Sequence, residues 1–395
     1  MMTTRQLHRK DSGFRTGSVM VLSFSHFIHD LYLSFLAPLL PRLIDKFGLS
    51  MTQAGFLSTV LQIPALINPY LGTVADRMNG RYFIILAPSL TAVAMSALGA
   101  APNYYFLLLL LFVAGVSTSL FHVPAPVLIH HLSGEKSGRG MSFYMTGGEL
   151  ARAAGPVFII AIVSVSGLEG YYPVLVIGVA TSFFLHLKFR DIPVPIKARD
   201  KVPLMDTIRE TKQVFIPISG ILIARGFMHA TMTSFLPVYI ELETGNLWLA
   251  GISLALVEAA GVLGILTLGP LSDRLGRKNT ILLCLVTAPV TMMAFLGTAG
   301  WLRYLFLILT GFTLLSATPV MLALVQEHAR KGPAAANGLF IMLSFLSRSS
   351  IVVLVGFAAD RFGLEPTYLA SALFGLLGIP FILLLPGRSG VRFWA

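Results

Sequence analysis

The chain has 395 residues, of which 55% are hydrophobic and only 12% are charged, and its mean hydropathy is +0.79. Soluble domains carry about 25% charged residues, so this composition excludes an ordinary soluble protein and indicates a polytopic membrane protein. The single cysteine, Cys284, excludes an intramolecular disulfide. We attribute the net charge of +11 to topology and to contact with anionic membrane lipids, and we expect no nucleic-acid binding.

Hydropathy predicts twelve spans of roughly 20 or more mostly apolar residues, the length that crosses a hydrocarbon core of about 30 Å. The basic N-terminal segment is followed by a full-length apolar run without a small-residue cleavage site, so we expect the first span to stay as an anchor. The predicted spans are 18–41, 50–75, 82–101, 103–129, 140–166, 168–187, 214–240, 246–271, 279–299, 301–327, 334–359 and 364–386.

The organisation predicted from these spans is two six-helix halves, residues 1–187 and 214–395, joined by a charged, proline-rich linker at 188–213. The linker is either a solvated tether or a docking site for a partner. Of the 29 Lys and Arg residues, only four lie in the loops on the side opposite the N-terminus, namely Arg42, Lys46, Arg303 and Arg361. Since cytoplasmic loops are enriched in Lys and Arg, both termini are predicted to be cytoplasmic.

The two halves repeat each other about 200 residues apart. The segment "GTVADRMNGR" from Gly72 corresponds to "GPLSDRLGRK" from Gly269, and "FIHDLYLSFLAP" from Phe27 corresponds to "FMHATMTSFLP" from Phe227. Arg152 and Arg348 form a third pair at a similar offset. Six spans separate the copies, so both halves have the same orientation, as in the parallel repeats of six-plus-six transporters.

The segment "GPLSDRLGRK" resembles the signature loop of the major facilitator superfamily. The matching residues are Gly269, Asp273, Arg274, Gly276, Arg277 and Lys278, and in the first copy Gly72, Asp76, Arg77, Gly80 and Arg81, where Asn79 stands in place of the second glycine. The resemblance implies that Gly72 and Gly269 permit close helix packing. It also implies that Asp76, Arg77, Asp273 and Arg274 make the charge contacts that latch a cytoplasmic gate.

Four further motifs resemble the fosmidomycin resistance protein group of bacterial exporters. They are "SHFIHD" from Ser25, "FHVP" from Phe121, "GGELARAAGP" from Gly147 and "VQE" from Val325. The resemblance implies a multi-pass protein of the bacterial inner membrane, built as two pseudo-symmetric six-helix bundles that work by alternating access. We expect a monomer without a cofactor.

Ionisable residues lie deep within six of the predicted spans. They are His26, His29, Asp30, His122, Glu149, Arg152, Arg225, His229, Glu258 and Arg348. In the superfamily's fold, the spans that hold them surround or flank a central cavity. Each Lys, Arg or Asp at a helix centre costs about 2.5–3.5 kcal/mol against lipid, so these groups are expected to face water, a ligand or one another.

Two interpretations are open for the roles of the three deep arginines. Each forms a buried ion pair with Glu149, Glu258 or Asp30 that fixes helix packing, or Arg152, Arg225 and Arg348 together form a cationic pocket for an anionic or polar substrate. Three arginines near one cavity favour the pocket. His29, His122 and His229 are the other substrate-binding candidates.

Asp30, assisted by His26, is predicted to be the proton-coupling site, because an imidazole beside a carboxylate titrates near neutrality. Glu149 and Glu258 are competing candidates. The alternative is that Asp30 is a packing carboxylate satisfied by His26 or Arg225. For His122, a histidine satisfied at the kink made by Pro124 and Pro126 is as well supported as a ligand contact.

The sequence contains no phosphate-binding G-x-x-x-x-G-K-[ST] loop and offers no soluble domain that would hold one. His26, His29 and Asp30 are too few to predict a metal site, and no set of catalytic residues indicates an enzyme. We therefore predict a secondary transporter for proton-coupled export, as an antiporter, of a small polar or anionic compound or drug. The alternative is uptake or exchange of an organic anion such as a phosphate ester or carboxylate.

Overall fold

The computed structural model describes residues 14–68, 80–191, 204–329 and 333–386, and the regular elements in these ranges are all helical. Short 3-10 turns at Ile63–Ile67, Leu98–Ala100, Gly134–Lys136 and Tyr172–Val174 and a π-turn at Thr231–Phe235 join the α-helices. The α-helices are α1 Thr16–Leu33, α2 Leu36–Phe47, α3 Met51–Gln62, α4 Arg81–Ser96, α5 Tyr104–His122, α6 Ala125–Ser133, α7 Ser137–Gly170, α8 Leu175–Phe189, α9 Leu204–Ala230, α10 Leu236–Thr244, α11 Leu247–Leu275, α12 Arg277–Gly297, α13 Gly300–His328, α14 Pro333–Phe362, α15 Leu364–Leu376 and α16 Ile379–Leu383.

The predicted fold class, an all-α membrane protein, is confirmed. Ten helical stretches in the described ranges are long and apolar enough to cross a membrane. The difference from twelve has two causes. The stretch Tyr104–Gly170 contains two predicted spans, and the predicted span 50–75 is represented by α3 and a 3-10 turn, with its remainder outside the described residues.

Prolines break the first and seventh spans at equivalent places in the repeat. Pro38 lacks the N–H that would bond the Ser34 carbonyl, and the chain leaves the helix at Ser34 and Phe35, between α1 and α2. In the second copy, a five-residue π-turn ends immediately before α10, whose second residue is Pro237. The regular α-helix is thus interrupted at the aligned prolines in both copies, by a two-residue turn in the first and by the π-turn in the second.

The predicted kink in the fourth span is confirmed. The helix ends at His122 and restarts at Ala125, with Pro124 between the two segments and Pro126 in the first turn of α6. This break places His122 at a helix end.

Contacts divide the chain into two compact units. The first comprises Met1–Phe35, Ile63–Gly155 and Ile162–Arg199, and the second comprises Leu36–Gln62, Pro156–Ala161 and Asp200–Ala395. Residues 36–62 of the predicted N-terminal half therefore pack with the second unit. The division into bundles 1–187 and 214–395 around a linker stays a prediction.

The core of the first unit is built from α1, α4, α5, α6, α7 and α8, which bury Leu22, Ile85, Phe121, Leu128 and Leu185 among others. Lipid is as apolar as these side chains, so close packing rather than transfer from water holds the helices together. Gly178 shows this closeness, because a Cβ at that position would lie 2.7 Å from the Pro88 carbonyl oxygen. The tight crossing of α4 and α8 supports α1, which carries most of the site.

In the second unit, α3 crosses α14 at close range. A Cβ at Gly55 would lie 2.6 Å from the Val352 carbonyl oxygen, and one at Gly356 would lie 2.7 Å from the Met51 carbonyl carbon. The Asp360 carboxylate of α14 accepts hydrogen bonds from the backbone N–H groups of Met51 (2.7 Å) and Thr52 (2.9 Å). Asp360 therefore caps the N-terminus of α3.

Replacing Asp360 with Asn is expected to lower the free energy of unfolding by about 0.5–1 kcal/mol, since an amide nitrogen would face one of the two N–H donors. The measurement is the thermal unfolding midpoint of the purified protein. Asp191→Asn is the matched control, because Asp191 is exposed and contacts only Arg190 among its described ion pairs. Equal midpoints for both variants would contradict the cap.

Candidate functional site

Four predicted site residues meet in the first unit: His26, His29 and Asp30 on α1, and His122 at the end of α5. His26 and Asp30 are four residues apart and so share one face of α1. Asp30 Oδ2 lies 3.2 Å from His26 Nε2, while Oδ1 lies 3.3 Å from His122 Nε2 and 3.0 Å from His29 Nδ1. We call these four residues the histidine–aspartate cluster.

The second ring nitrogens of His26 and His122 point to backbone carbonyls. His26 Nδ1 lies 2.7 Å from the Tyr144 carbonyl oxygen, and His122 Nδ1 lies 3.0 Å from the Thr118 carbonyl oxygen. A carbonyl can only accept, so both Nδ1 atoms carry the hydrogen. In the neutral rings, both Nε2 atoms are therefore acceptors, and they lie 3.1 Å apart.

A chain of two hydroxyl groups determines which ring nitrogen of His29 carries the hydrogen. Ser117 donates to the Ala87 carbonyl (2.8 Å), and Thr91 donates to Ser117 Oγ (2.7 Å). Thr91 Oγ1 has then used its hydrogen and accepts from His29 Nε2, 3.0 Å away. The neutral His29 ring consequently turns its unprotonated Nδ1 towards Asp30.

Three imidazole nitrogens without hydrogen thus converge on one carboxylate. Acceptors in contact repel one another, and a buried acceptor without a donor costs about 1–3 kcal/mol. One proton placed among the four groups turns a repulsive contact into a charge-assisted hydrogen bond and makes the cluster neutral. The geometry is therefore that of a site that holds at least one proton.

Three residues of the cluster could also hold a metal ion. The ligand atoms of His26, Asp30 and His122 lie within 4.8 Å of one another, close enough to share one cation. A proton is the smallest such cation and needs no further ligand. The expectation that the protein uses no metal stays a prediction.

Aromatic rings cover most of the cluster. Tyr144 stacks on His26 with ring centroids 4.0 Å apart, and Phe121 stacks on His29 at 4.6 Å. The His29 side chain is fully buried, whereas that of His122 is 32% exposed. His122 is therefore the most exposed member of the cluster.

Gly148 on α7 lies directly against the cluster. A Cβ at this position would lie 2.7 Å from His26 Cε1 and 3.0 Å from Asp30 Oδ2. The glycine pair that opens "GGELARAAGP" is thus explained by the close approach of α7 to α1, and it fixes the position of His26.

Glu149 and Arg152 form an ion pair with each other on α7. The predicted partner of Arg152 is thus present, but the pair lies within one helix and the Arg152 side chain is 44% exposed rather than buried. Arg152 is also near enough to His122 to act on its charge. These are the charged groups that α7 contributes near the cluster.

Replacing Thr91 with Val is expected to lower the pH midpoint of proton-driven transport by about one unit. Without Thr91 Oγ1, the His29 hydrogen moves to Nδ1 and bonds Asp30, which stabilises the cluster without its extra proton. The pH profile of transport in proteoliposomes measures this shift. Thr118→Val is the matched control, because it keeps the backbone carbonyl that accepts from His122. An unchanged pH midpoint in Thr91→Val would contradict the role of the hydroxyl chain in orienting His29.

In the second unit, three other predicted residues share one pocket. Arg225 and His229 on α9 and Arg348 on α14 line it together. His29 and His122, by contrast, belong to the cluster of the first unit. Glu258 is half-buried on α11.

The alternative pairing of Asp30 with Arg225 is not present among the described contacts. The two residues lie in different units. Asp30 contacts three histidines, and Arg225 donates to the Leu314 carbonyl.

The second signature loop joins α11 to α12. Gly276 has a φ of +90°, which favours glycine, and Arg277 contacts Asp273 and Ser272 and lies 2.9 Å from Glu327. Lys278 donates to the Leu385 carbonyl, 3.2 Å away. Asp273 therefore has its ion pair with Arg277, one turn further along the chain.

The close packing implied for Gly269 stays a prediction. Among the described residues, no atom lies within 4 Å of a Cβ built at Gly269. In the first copy, Gly72, Asp76 and Arg77 lie outside the described residues. Gly80 and Arg81 stand at the start of α4.

Sequence reasoning missed the groups that orient the histidines. The carbonyls of Tyr144 and Thr118 leave no trace in residue type. Thr91 and Ser117 look like ordinary small polar residues of a membrane helix. Gly148 carried a signal, since a glycine pair in a helix indicates close approach of another backbone.

One unit holds a buried titratable cluster between membrane-spanning helices, and the other holds a cationic pocket. This combination is typical of a multi-pass transport protein. The sequence model of the Major Facilitator Superfamily matches residues 22–352. The chain belongs to the Major Facilitator Superfamily, whose members are transporters.

Three similar proteins illustrate the relationship. The fosmidomycin resistance protein of Escherichia coli (strain K12) is 24% identical over 94% of this chain and 93% of its own length. A bacterial homologue of the human lysosomal transporter Spinster, inward-facing and unoccupied, superposes with a TM-score of 0.80 at 15% identity, over 94% of this chain and 97% of that one. The nucleoside transporter NupG (D323A mutant) superposes with a TM-score of 0.77 at 17% identity, over 93% of this chain and 99% of that one. The two structural likenesses show the fold.

Proposed function

We propose that the protein exports a small polar or anionic compound in exchange for protons. The observation that carries this proposal is the convergence of three imidazole acceptors on the Asp30 carboxylate. A buried site that must hold a proton, with one partly exposed member, is suited to exchange that proton as access alternates between the two sides of the membrane.

Coupling requires that the proton and the cargo favour different access states. Asp30 and His26 form the centre of the proton site, and His122 joins them as the exposed member. Loss of the proton leaves the carboxylate among three acceptors, which raises the free energy of that state unless the surroundings rearrange. The cluster therefore supplies a differential interaction of the kind that shifts a conformational equilibrium.

Export is supported by the likeness to a resistance protein, and fosmidomycin is accordingly the first cargo to test. We place the protein in the bacterial inner membrane. Both termini are proposed to be cytoplasmic, on the distribution of Lys and Arg in the loops. We further propose that the protein acts as a monomer.

A second candidate is uptake or exchange of an organic anion. The observation that favours it is the pocket shared by Arg225 and Arg348, which suits an anion moved in either direction. The direction of flux relative to the proton gradient distinguishes the two candidates.

The test uses the full chain in proteoliposomes with labelled fosmidomycin outside and EDTA throughout, so that no metal ion occupies the cluster. With an acidic interior, an antiporter is expected to accumulate the compound, and a protonophore is expected to abolish the accumulation. Accumulation only with an acidic exterior would identify proton-driven uptake instead. Equilibration without accumulation under both gradients would contradict proton coupling.

A further inference from the structure

The polar pocket of the second unit lies between α9 and α14 and is lined by groups that donate hydrogen bonds. Among the described residues, its lining contains two guanidinium groups and no carboxylate. The polar residues of the lining are Arg225, His229, Thr318, Ser344, Ser347 and Arg348.

Arg225 is the most deeply placed of these residues, with only 5% of its surface exposed. Its Nη2 donates to the Leu314 carbonyl at 2.7 Å, which fixes the plane of the guanidinium group. Its Nε is buried and has no hydrogen-bond partner among the described residues. Such a charged donor is costly to leave unsatisfied, so the pocket is incomplete as it stands.

Ser344 repeats this pattern on the other helix. It is 7% exposed, and its Oγ is buried with no hydrogen-bond partner among the described residues. Arg348 follows one turn later and donates through Nε to the Ser344 carbonyl at 3.4 Å. The pocket is thus lined by two residues that each have a buried, unsatisfied donor, Arg225 through Nε and Ser344 through Oγ.

The two arginines also repel each other. The charge of Arg348 acts unfavourably on Arg225, and Arg348 packs against Phe345, 4.8 Å from the ring centroid. A low-dielectric setting strengthens the repulsion, and a negative charge between the two groups would remove it. Several directed donors around two positive charges match an oxyanion better than a spherical halide, because each oxygen accepts along defined directions.

We propose that this pocket binds the oxyanion group of the cargo, and that it prefers a group with two negative charges. Arg225 Nε and Ser344 Oγ are the donors that the anion satisfies, and Arg348 supplies the second charge. This inference rests on the proposed function and narrows the cargo to organic oxyanions.

Binding of inorganic sulfate to the purified full-length protein tests the proposal. Sulfate offers a doubly charged oxyanion group without the rest of a cargo molecule, and acetate is the singly charged comparison. In a chloride-free buffer, sulfate is expected to raise the thermal unfolding midpoint in a saturable way, and acetate is expected to bind at least about tenfold more weakly.

Arg225→Gln is expected to weaken sulfate binding by about 10- to 100-fold. The same change removes a buried charge that has an unsatisfied donor, so the anion-free variant is expected to unfold no earlier than the wild-type protein. A merely structural Arg225 would give the opposite pattern, early unfolding with an unchanged response to sulfate. Ser344→Ala and Arg348→Gln are the second and third variants, and Arg361→Gln, an exposed arginine on the same helix, is the control.

A wild-type protein that sulfate does not stabilise, or equal sulfate binding in Arg225→Gln, Arg348→Gln and Arg361→Gln, would overturn the proposal. Calorimetric titration with sulfate gives the same comparison for any variant whose unfolding is irreversible. Proton-driven flux is measured separately in the wild-type protein. Flux without sulfate binding defeats only this inference, whereas sulfate binding without proton-driven flux defeats only the proposed coupling.

Discussion

Replacing Asp30 with Asn is expected to abolish accumulation of cargo against its gradient while equilibration down the gradient continues. A one-for-one exchange driven by two pH units supports an accumulation ratio of up to about 100-fold, because each unit is worth 1.36 kcal/mol. The amide that replaces the Asp30 carboxylate cannot take up and release a proton. The ratio should therefore fall to one, and imposing or reversing the pH gradient should have no effect on it.

The control for this variant is Asp45→Asn. Asp45 is a carboxylate on α2 whose side chain is 71% exposed, and its replacement is expected to leave the accumulation ratio unchanged. The competing carboxylates Glu149 and Glu258 are tested in the same assay. Full accumulation by Asp30→Asn, or its loss only in Glu149→Gln or Glu258→Gln, would mean that the coupling carboxylate has been misassigned.

Replacing Gly148 with Ala is expected to reduce the initial rate of proton-driven transport by about tenfold or more. The new methyl group would lie 2.7 Å from His26 Cε1, and His26 cannot turn away without losing its bond to the Tyr144 carbonyl. Overpacking of this kind costs about 1–3 kcal/mol. Since the displaced atoms belong to the proton site, the loss is expected in coupling rather than in the amount of folded protein.

Gly138→Ala is the matched control on the same helix, because no described atom lies within 4 Å of a Cβ at Gly138. Its rate is expected to stay within about twofold of wild type, since Ala is also the better helix former. Rates for both variants are normalised to the amount of monodisperse protein reconstituted. Equal rates for Gly148→Ala and Gly138→Ala would show that α7 does not fix the position of His26.

The sequence was sufficient to predict the helical architecture because membrane spans are long apolar runs and their polar exceptions are few. It predicted the kink at Pro124, since a proline removes a backbone donor wherever it stands in a helix. The break before Pro38 has the same cause, but it lies inside a span that the sequence predicted as continuous. It also singled out Asp30 and His26, because a four-residue spacing puts them on one face of α1 whatever surrounds them.

Other features could not be predicted, since they depend on which helices meet. The sequence favoured one pocket with three arginines, but Arg152 pairs with Glu149 on its own helix, and the pocket of the second unit is lined by Arg225 and Arg348. The protonation pattern of the histidines depends on two backbone carbonyls and a chain of two hydroxyl groups. Nothing in residue type marks these groups, because every residue has a carbonyl.

The central claim is that His26, His29, His122 and Asp30 share at least one proton. The direct measurement is nuclear magnetic resonance of the full-length protein in lipid vesicles at neutral pH, with ¹⁵N-labelled histidine and ¹³C-labelled aspartate. Single His→Gln variants assign the ring signals. We expect protonated Nδ1 atoms in His26 and His122 and, in addition, either one imidazolium in the cluster or a protonated Asp30. Three neutral rings beside an ionised Asp30 would contradict it.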